Sequence, residues 1–322
     1  MEKYYSPKGM LLWDSWFIKK NDKYHAFYLQ ALPSKNHENR HNNKVSIGHA
    51  ISTDLFNWKE FPTVLTPGNK NDWDSLALWT GSIIEKDGKY FMFYTGRRDK
   101  PNEKQIQRIG LATSNDLFNW KKYENNPIIE ADNCIYDMNN NKNAIGKMSI
   151  WRDPYVFQDP KTNKYYMIIA ARKKGVETEY NGCIAIAQSD NLFDWKLLPP
   201  LLEPNIYDEM EVPQMIIHKG IYYLFFSTHA SNYKPDYAKK MGSFGGKHCY
   251  YSSELFGTYK PINTNGIVYN YENKIYGLNI IASQGNVFKA LGWLNEDIHG
   301  KFVGKLSHPI EMEINDDKII IK

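Results

Sequence analysis

Hydrophobic and aromatic residues recur along this chain in short runs that alternate with polar positions. The clearest runs are KYHAFYLQ from Lys23, KYFMFYTG from Lys89, KYYMIIAA from Lys164 and IYYLFFST from Ile221. Each run follows a turn-forming pair such as Asp-Gly or Lys-Gly, and this β-branched and aromatic content is typical of strands. Another apolar run precedes each of them, so the pattern predicts antiparallel hairpins and no helix of convincing length.

A second motif, Ser-x-x-Leu-Phe-x-Trp, follows each of the first four hairpins in full or weakened form. Its leucines recur at spacings of 62, 75 and 63 residues: Leu55, Leu117, Leu192 and Leu255. We interpret each unit as a strand, a tight turn, a second strand, a strand through the motif and a short outer strand. The motif itself is expected to serve packing within the blades.

Four antiparallel strands per unit describe a propeller blade. A fifth, less regular unit begins near Lys274 with KIYGLNIIAS. The sequence therefore predicts an all-β fold, a five-bladed β-propeller of four-stranded antiparallel blades, in which residues 1–322 form a single catalytic domain with the active site in the central funnel.

Acidic residues occupy matching positions in these units. Asp14 lies in LLWDSW, 10 residues before Tyr24, and the residues at nearly the same distance before the second strand of the next three units are Trp79, Asp153 and Glu211. Because the first strands of a propeller line its channel, Asp14, Asp153 and Glu211 are expected to face one another. Crowded carboxylates raise at least one pKa, which suits glycosidic-bond cleavage by a neutral acid and an ionised partner.

Composition narrows the possible partners. Aromatic residues make up 15% of the chain, enough to fill a β core or to offer stacking surfaces to sugars. The net charge of +4 comes mostly from scattered lysines, so we expect no nucleic-acid surface, and the apolar runs are too short to span a membrane. The N-terminus has no apolar leader region and three cysteines lie far apart, which predicts a cytoplasmic location.

Two long insertions, 32–44 and 130–147, are expected to surround the entrance of a pocket. No cofactor is expected. No metal site is expected either, because His37 and His41 lie in an Asn-rich loop and are interpreted as solvated.

Several motifs resemble one family: WDSW at Trp13, WTGS at Trp79, RDP at Arg152 and DEMEVP at Asp208. They are similar to the motifs of the five-bladed β-fructosidase clan, which comprises invertases, fructanases, levansucrases and inulosucrases. The resemblance implies cleavage of a β-fructofuranoside, such as sucrose or a short fructo-oligosaccharide, by a retaining mechanism with possible fructosyl transfer.

The same resemblance implies the site residues. Asp14 would be the nucleophile, Glu211 the acid and base, and Asp153 the transition-state stabiliser together with Arg152. Thr80 or Ser82 would donate a hydrogen bond to Asp14. The other implied substrate-binding residues are Trp13, Trp79, Glu209, His229 and Tyr276.

Three positions depart from the family pattern. Thr80 replaces a serine, and Val212 follows Glu211 where cysteine or arginine is usual. His229 stands where polymer-forming transferases often carry arginine, which suggests hydrolysis or short products. Two alternatives stay open: an inverting arabinanase-type propeller hydrolase, and a sugar-binding propeller without catalysis.

Overall fold

The computed structural model describes residues 4–33, 44–100, 106–138, 149–175, 179–271, 274–297 and 299–322. Most of the insertion at 32–44 and the second half of that at 130–147 lie outside these ranges, as do His37 and His41. Expectations about those segments therefore stay predictions.

The first three blades are antiparallel sheets of four strands in chain order. Blade 1 contains β1 (Leu11–Lys20), β2 (Lys23–Ala31), β3 (Ser46–Ser52) and β4 (Lys59–Leu65). Blade 2 contains β5 (Ala77–Lys86), β6 (Lys89–Arg97), β7 (Gln107–Ser114) and β8 (Lys121–Lys122). Blade 3 contains β9 (Trp151–Gln158), β10 (Tyr165–Arg172), β11 (Gly182–Ser189) and β12 (Lys196–Leu202).

The last two blades each carry one additional strand. Blade 4 contains β13 (Glu211–His218), β14 (Ile221–Thr228), β15 (Gly246–Ser252) and β16 (Lys260–Pro261), with β17 (Ile267–Asn270) paired to β15. Blade 5 contains β18 (Ile275–Gln284), β19 (Val287–Glu296), β21 (Ile310–Asn315) and β22 (Lys318–Ile321), with β20 (Phe302–Leu306) paired to β19. A short helix, α1 (Pro235–Met241), follows β14 and was not predicted.

The sheets form a ring of five blades with their first strands innermost, as predicted. The first strands of neighbouring blades pack side by side. Blades 4 and 5 are joined by the Gln214 side chain, which hydrogen-bonds the main-chain N–H and C=O of Ile280 at 2.9 and 2.8 Å. The ring closes between blades 5 and 1, where Tyr5 forms a β-bridge with Leu306.

The interpretation of the Ser-x-x-Leu-Phe-x-Trp motif as a strand is wrong. The third strands end at its serine, and the motif forms the turn to the fourth strand. In the first copy Ser52 Oγ accepts the N–H of Leu55, whose φ is 70°, and Trp58 Nε1 donates to the Leu55 carbonyl. Side-chain hydrogen bonds of this kind favour a turn over a sheet ladder, even in an apolar segment.

The repeated phenylalanine joins each of blades 1–4 to the blade before it in the ring. Phe118 of blade 2 packs against Phe61 of blade 1, with ring centroids 5.3 Å apart, and Phe193 of blade 3 packs against Phe91 of blade 2 at 5.6 Å. The corresponding contacts of blades 4 and 1 are Phe256 with Tyr166 and Phe56 with His308. The expectation that the motif serves packing is therefore confirmed.

Apolar side chains fill the spaces between blades in four clusters. The largest lies among blades 1, 2 and 5 and includes Trp16, Phe27 and Trp293. No helix in the described part of the chain has the length and apolar character needed to cross a membrane.

Candidate active site

The first strand of every blade contains a register shift, and five of these shifts, one in each blade, lie at equivalent places. They fall between Leu12 and Ser15, Trp79 and Gly81, Arg152 and Tyr155, Glu211 and Gln214, and Tyr276 and Asn279. A β-bulge redirects the side chains around it, and bulges are common next to active sites. The predicted residues Asp14, Thr80, Asp153, Glu211 and Tyr276 all lie at or beside these bulges, one from each blade.

Both carboxylate oxygens of Asp14 accept hydrogen bonds. Thr80 Oγ1, from blade 2, donates to Asp14 Oδ2 at 2.6 Å, and Trp293 Nε1, from blade 5, donates to Asp14 Oδ1 at 2.9 Å. Gly277 has a φ of 61°, and a Cβ there would lie 2.7 Å from Trp293 Nε1 and 3.2 Å from Asp14 Oδ1. Glycine at this position therefore leaves room for the hydrogen bond that holds Asp14.

From the sequence, Ser82 was one of two possible hydrogen-bond donors to Asp14, but in the structure it bonds elsewhere. Its hydroxyl accepts the N–H of Val156 at 3.0 Å and thereby links blade 2 to blade 3. Of the two donors considered from the sequence, the structure brings only Thr80 to Asp14.

Asp153 is 4% exposed and has a φ of 59°, a rare conformation for a residue with a side chain. Its Oδ2 accepts the N–H of Val212 at 3.0 Å, and its own N–H donates to Thr95 Oγ1. The pKa of Asp153 is raised from its ordinary value to about 7, mainly because the carboxyl group is buried. The positive charge of Arg152 lowers this pKa and the negative charge of Asp14 raises it further. The carboxyl group of this cluster with the raised pKa is thus Asp153, the residue implied as the transition-state stabiliser.

Glu211 is oriented by two donors. Arg152 Nη2 donates to Oε1 at 2.8 Å, and the Tyr276 hydroxyl donates to Oε2 at 2.5 Å. His229 Nε2 lies 3.8 Å from Oε2, and the His229 ring stacks on Tyr276 with centroids 4.7 Å apart. Tyr276 and His229, both implied by the resemblance as substrate-binding residues, therefore lie at the Glu211 carboxylate.

Two arginines hold Glu209. Arg152 Nη2 binds one of its oxygens at 2.8 Å, and Arg172 Nη2 binds the other at 3.1 Å. Arg172 also binds the Asp208 carboxylate at 2.7 Å. Since all these side chains are largely buried, Glu209 fixes the guanidinium group of Arg152 next to Glu211.

The two predicted tryptophans are buried beside these groups. Trp79 is 7% exposed, with the Arg97 guanidinium 4.3 Å from its ring centroid, and Trp13 is 2% exposed in the apolar cluster of blades 1, 2 and 5. Their contact with a sugar stays a prediction. In the described part of the chain, no three His, Cys, Asp or Glu side chains are grouped to hold a metal ion.

A family model described as Glycosyl hydrolases family 32 N-terminal domain matches residues 7–321. The chain belongs to this family. Raffinose invertase of Escherichia coli is 25% identical over 300 residues, which cover 90% of this chain and 56% of that protein. Levansucrase of Zymomonas mobilis is 26% identical over 364 residues, covering 94% of this chain and 82% of that protein.

An extracellular sucrase of Zymomonas mobilis is 27% identical over 238 residues, or 64% of this chain and 52% of that protein. The family 32 chain thus spans about half the length of the first relatives it matches. In three dimensions it is similar to the inulosucrase from Halalkalicoccus jeotgali bound to kestose, with a TM-score of 0.81 at 22% identity over 99% of this chain and 90% of that one. These comparisons confirm the resemblance to the β-fructosidase clan and the propeller fold.

Several residues of this family 32 site were not predicted from the sequence. Trp293, Thr95 and Arg172 lie on second strands rather than on the first strands that carry the predicted residues. Only Arg172 has a repeated sequence position that could have indicated it. Arg172 ends the second strand of blade 3, as Arg97 ends the second strand of blade 2, and each arginine stands seven residues after the first tyrosine of its strand.

Proposed function

We propose that this family 32 chain is a retaining glycoside hydrolase that cleaves β-fructofuranosides, with sucrose or short fructo-oligosaccharides as substrates. The observation that carries the proposal is the convergence of Asp14, Asp153 and Glu211 on one axial site, with Asp14 held by donors from both flanking blades. The names of the similar proteins, which include an invertase, a sucrase and a levansucrase, support the same substrate class.

In the proposed first step, Asp14 attacks the anomeric carbon of the fructosyl group while Glu211 protonates the departing glycosidic oxygen. The bond from carbon to that oxygen breaks as a covalent fructosyl ester forms on Asp14. In the second step Glu211 takes a proton from water, or from an acceptor sugar, which attacks the same carbon and releases Asp14. Retention requires the two carboxyl groups to stand about 5–5.5 Å apart.

Asp153 and Arg152 are proposed to bind the hydroxyl groups of the fructosyl ring. Positive charge develops on that ring in the transition state, and a carboxylate beside it gains more interaction energy there than in the ground state. The buried position of Asp153 strengthens this effect because little water screens the charge.

Product analysis tests the proposal. We expect the purified chain to release glucose and fructose, or glucose and fructosyl oligosaccharides, from sucrose, and to release nothing from an arabinan oligomer. Release of arabinose alone would favour the inverting alternative. No product from sucrose, raffinose or an inulin oligomer at high protein concentration would favour a sugar-binding propeller.

The acceptor is the finer part of the proposal. His229 lies 3.8 Å from Glu211 and its side chain is partly exposed, and we propose that the acceptor it meets is water or a small sugar rather than a growing polymer. The ratio of free fructose to free glucose at low and at high sucrose concentration separates hydrolysis from transfer. A cytoplasmic location stays a prediction.

A further inference from the structure

Lys247 is a buried lysine next to the active site that the proposed reaction does not use. It lies on β15, the third strand of blade 4, and is 2% exposed. Placing an ammonium group in a protein interior costs free energy unless other groups compensate it. Its surroundings therefore indicate what it does.

The side chain of Lys247 runs across the sheet of blade 4 towards the first strand. Ser227 on β14 stands opposite Lys247 in the sheet register, and Glu211 on β13 stands opposite Ser227. Directly opposed residues share one face of a sheet, and the small serine leaves room for a long neighbour. Lys247 Nζ donates to the main-chain carbonyl of Val212 at 3.3 Å.

Val212 is the residue that sets the direction of the chain directly after Glu211. Its φ is 46°, which is strained for a β-branched residue, and it lies in the bulge of β13. Its N–H donates to Asp153 Oδ2 and its carbonyl accepts from Lys247, so two charged side chains hold the strained residue from both sides.

The electrostatic surroundings of Lys247 include the carboxyl groups of Asp14 and Asp153. Burial lowers the pKa of Lys247 to about 7, while the ionisable groups that act in the opposite direction are Cys249 on its own strand, Asp14 on β1 and Asp153 on β9. Burial also raises the pKa of Cys249 well above its usual value, so this thiol is neutral near pH 7. Asp14 and Asp153 are then the carboxyl groups whose negative charge opposes the effect of burial on the pKa of Lys247.

We propose that Lys247 is a positioning residue of the active site, whose ammonium group fixes the strained Val212 and favours the ionised forms of Asp14 and Asp153. The inference rests on the proposed function, because the effect is read through the proposed nucleophile and stabiliser. A purely structural lysine would change stability without changing the pH dependence of the reaction.

Two variants separate charge from hydrogen bonding. Lys247→Met has a similar length and removes both, whereas Lys247→Gln removes the charge and keeps a donor for the Val212 carbonyl. The matched control is Lys122→Met, the same substitution at a lysine in the outer part of blade 2. Lys122 pairs with the buried Asp74. Initial rates on sucrose are measured for each protein across the pH range.

Both Lys247 variants should lose activity on the acid side. Without the positive charge, Asp14 and Asp153 take up protons at higher pH, so kcat/KM of the variants should be about tenfold lower than that of the unaltered chain at about pH 5.5. At about pH 8.5 the difference should be less than about threefold, because the lysine of the unaltered chain is itself largely neutral there. The pH profile of Lys122→Met should keep the shape found for the unaltered chain.

The thermal stability of Lys247→Met at acid pH should not fall with its activity. The native state binds the Lys247 proton less tightly than the unfolded chain, so the cost of the buried charge is full below about pH 7 and is relieved as the pH rises towards the ordinary lysine value. Lys247→Met should therefore melt at the same temperature as the unaltered chain or higher at about pH 6. Such a result would show that the activity loss is not unfolding.

Parallel pH profiles for the unaltered chain and both Lys247 variants would overturn the inference, as would an acid-limb shift of equal size in Lys122→Met. Wild-type behaviour of Lys247→Gln would overturn the role assigned to the charge. Complete inactivity of the unaltered chain on fructofuranosides is a separate result, which would overturn the proposed function and this inference with it.

Discussion

Thr80 and Asp14 are joined by a 2.6 Å hydrogen bond that runs from the bulge of blade 2 to the bulge of blade 1. The opposite oxygen of Asp14 is occupied by Trp293 of blade 5. The proposed nucleophile is thus fixed by groups on either side of its own blade, and its orientation depends on the closure of the ring.

Removal of the Thr80 hydroxyl should impair the reaction more than folding. We expect Thr80→Val to lower kcat on sucrose by about 10- to 100-fold because a charge-assisted hydrogen bond to Asp14 is lost, while Thr80→Ser keeps activity within about threefold. Ser82→Ala is the matched control, since its hydroxyl serves Val156 instead. Equal losses of kcat in Thr80→Val and Ser82→Ala would contradict the assignment.

Asp153→Asn should stabilise the protein at alkaline pH while it abolishes activity. The pKa of Asp153 is raised from 3.8 to about 7, so the native state holds this proton more tightly than the unfolded chain, and stability falls as the pH rises from about 4 to about 7. An amide does not ionise, and the variant should gain about 2 kcal/mol or more at about pH 8 and little at about pH 4.

Thermal melts across this pH range measure the effect. The control is Asp74→Asn, which weakens the pair with Lys122 and the hydrogen bond from Tyr94 and should therefore be destabilising at pH 8. A loss of stability in Asp153→Asn at pH 8 similar to that of Asp74→Asn would show that the Asp153 charge is well accommodated.

Replacement of His229 by arginine should shift products from hydrolysis towards transfer. A guanidinium group next to Glu211 offers a fixed set of donors to the hydroxyls of an acceptor sugar, which the imidazole provides only in part. At high sucrose concentration we expect the ratio of free fructose to free glucose to fall in His229→Arg. His218→Gln, which changes a histidine bonded to Asn286, should leave the ratio unchanged, and an unchanged ratio in His229→Arg would argue against an acceptor role.

The phenylalanine of the repeated turn should contribute to stability according to its packing. Phe118 lies against three rings of blade 1, those of His25, His49 and Phe61, whereas Phe256 contacts Tyr166 and is 58% exposed. Phe118→Ala should cost about 1–3 kcal/mol in urea unfolding, and Phe256→Ala should cost less. The reverse order would refute this account of how the blades are joined.

The blades and their first strands could be predicted because their positions are encoded by distance along the chain. Counting back from the aromatic second strand located Asp14, Asp153 and Glu211 at equivalent bulges in three dimensions. The repeated turn was misjudged since its apolar residues resemble a strand, while the serine and aspartate that bend it act through short side-chain hydrogen bonds.

Other parts of the site could not be predicted from spacing. Trp293 reaches Asp14 from a position 279 residues further along the chain. Lys247 approaches from a third strand, and the positive φ angles of Asp153 and Val212 follow from bulges that leave no local pattern in the sequence. Such features depend on side-chain direction in the closed ring.

The activity of Asp14→Asn on sucrose decides whether Asp14 is the nucleophile. The amide is nearly the same size and can still accept from Thr80, so the fold should survive, and circular dichroism with a thermal melt checks that it does. We predict a fall in kcat of about 10⁴-fold or more, with no fructosyl ester detectable on the intact protein by mass spectrometry. Undiminished release of glucose by Asp14→Asn would show that a group other than the Asp14 carboxylate attacks the fructosyl carbon.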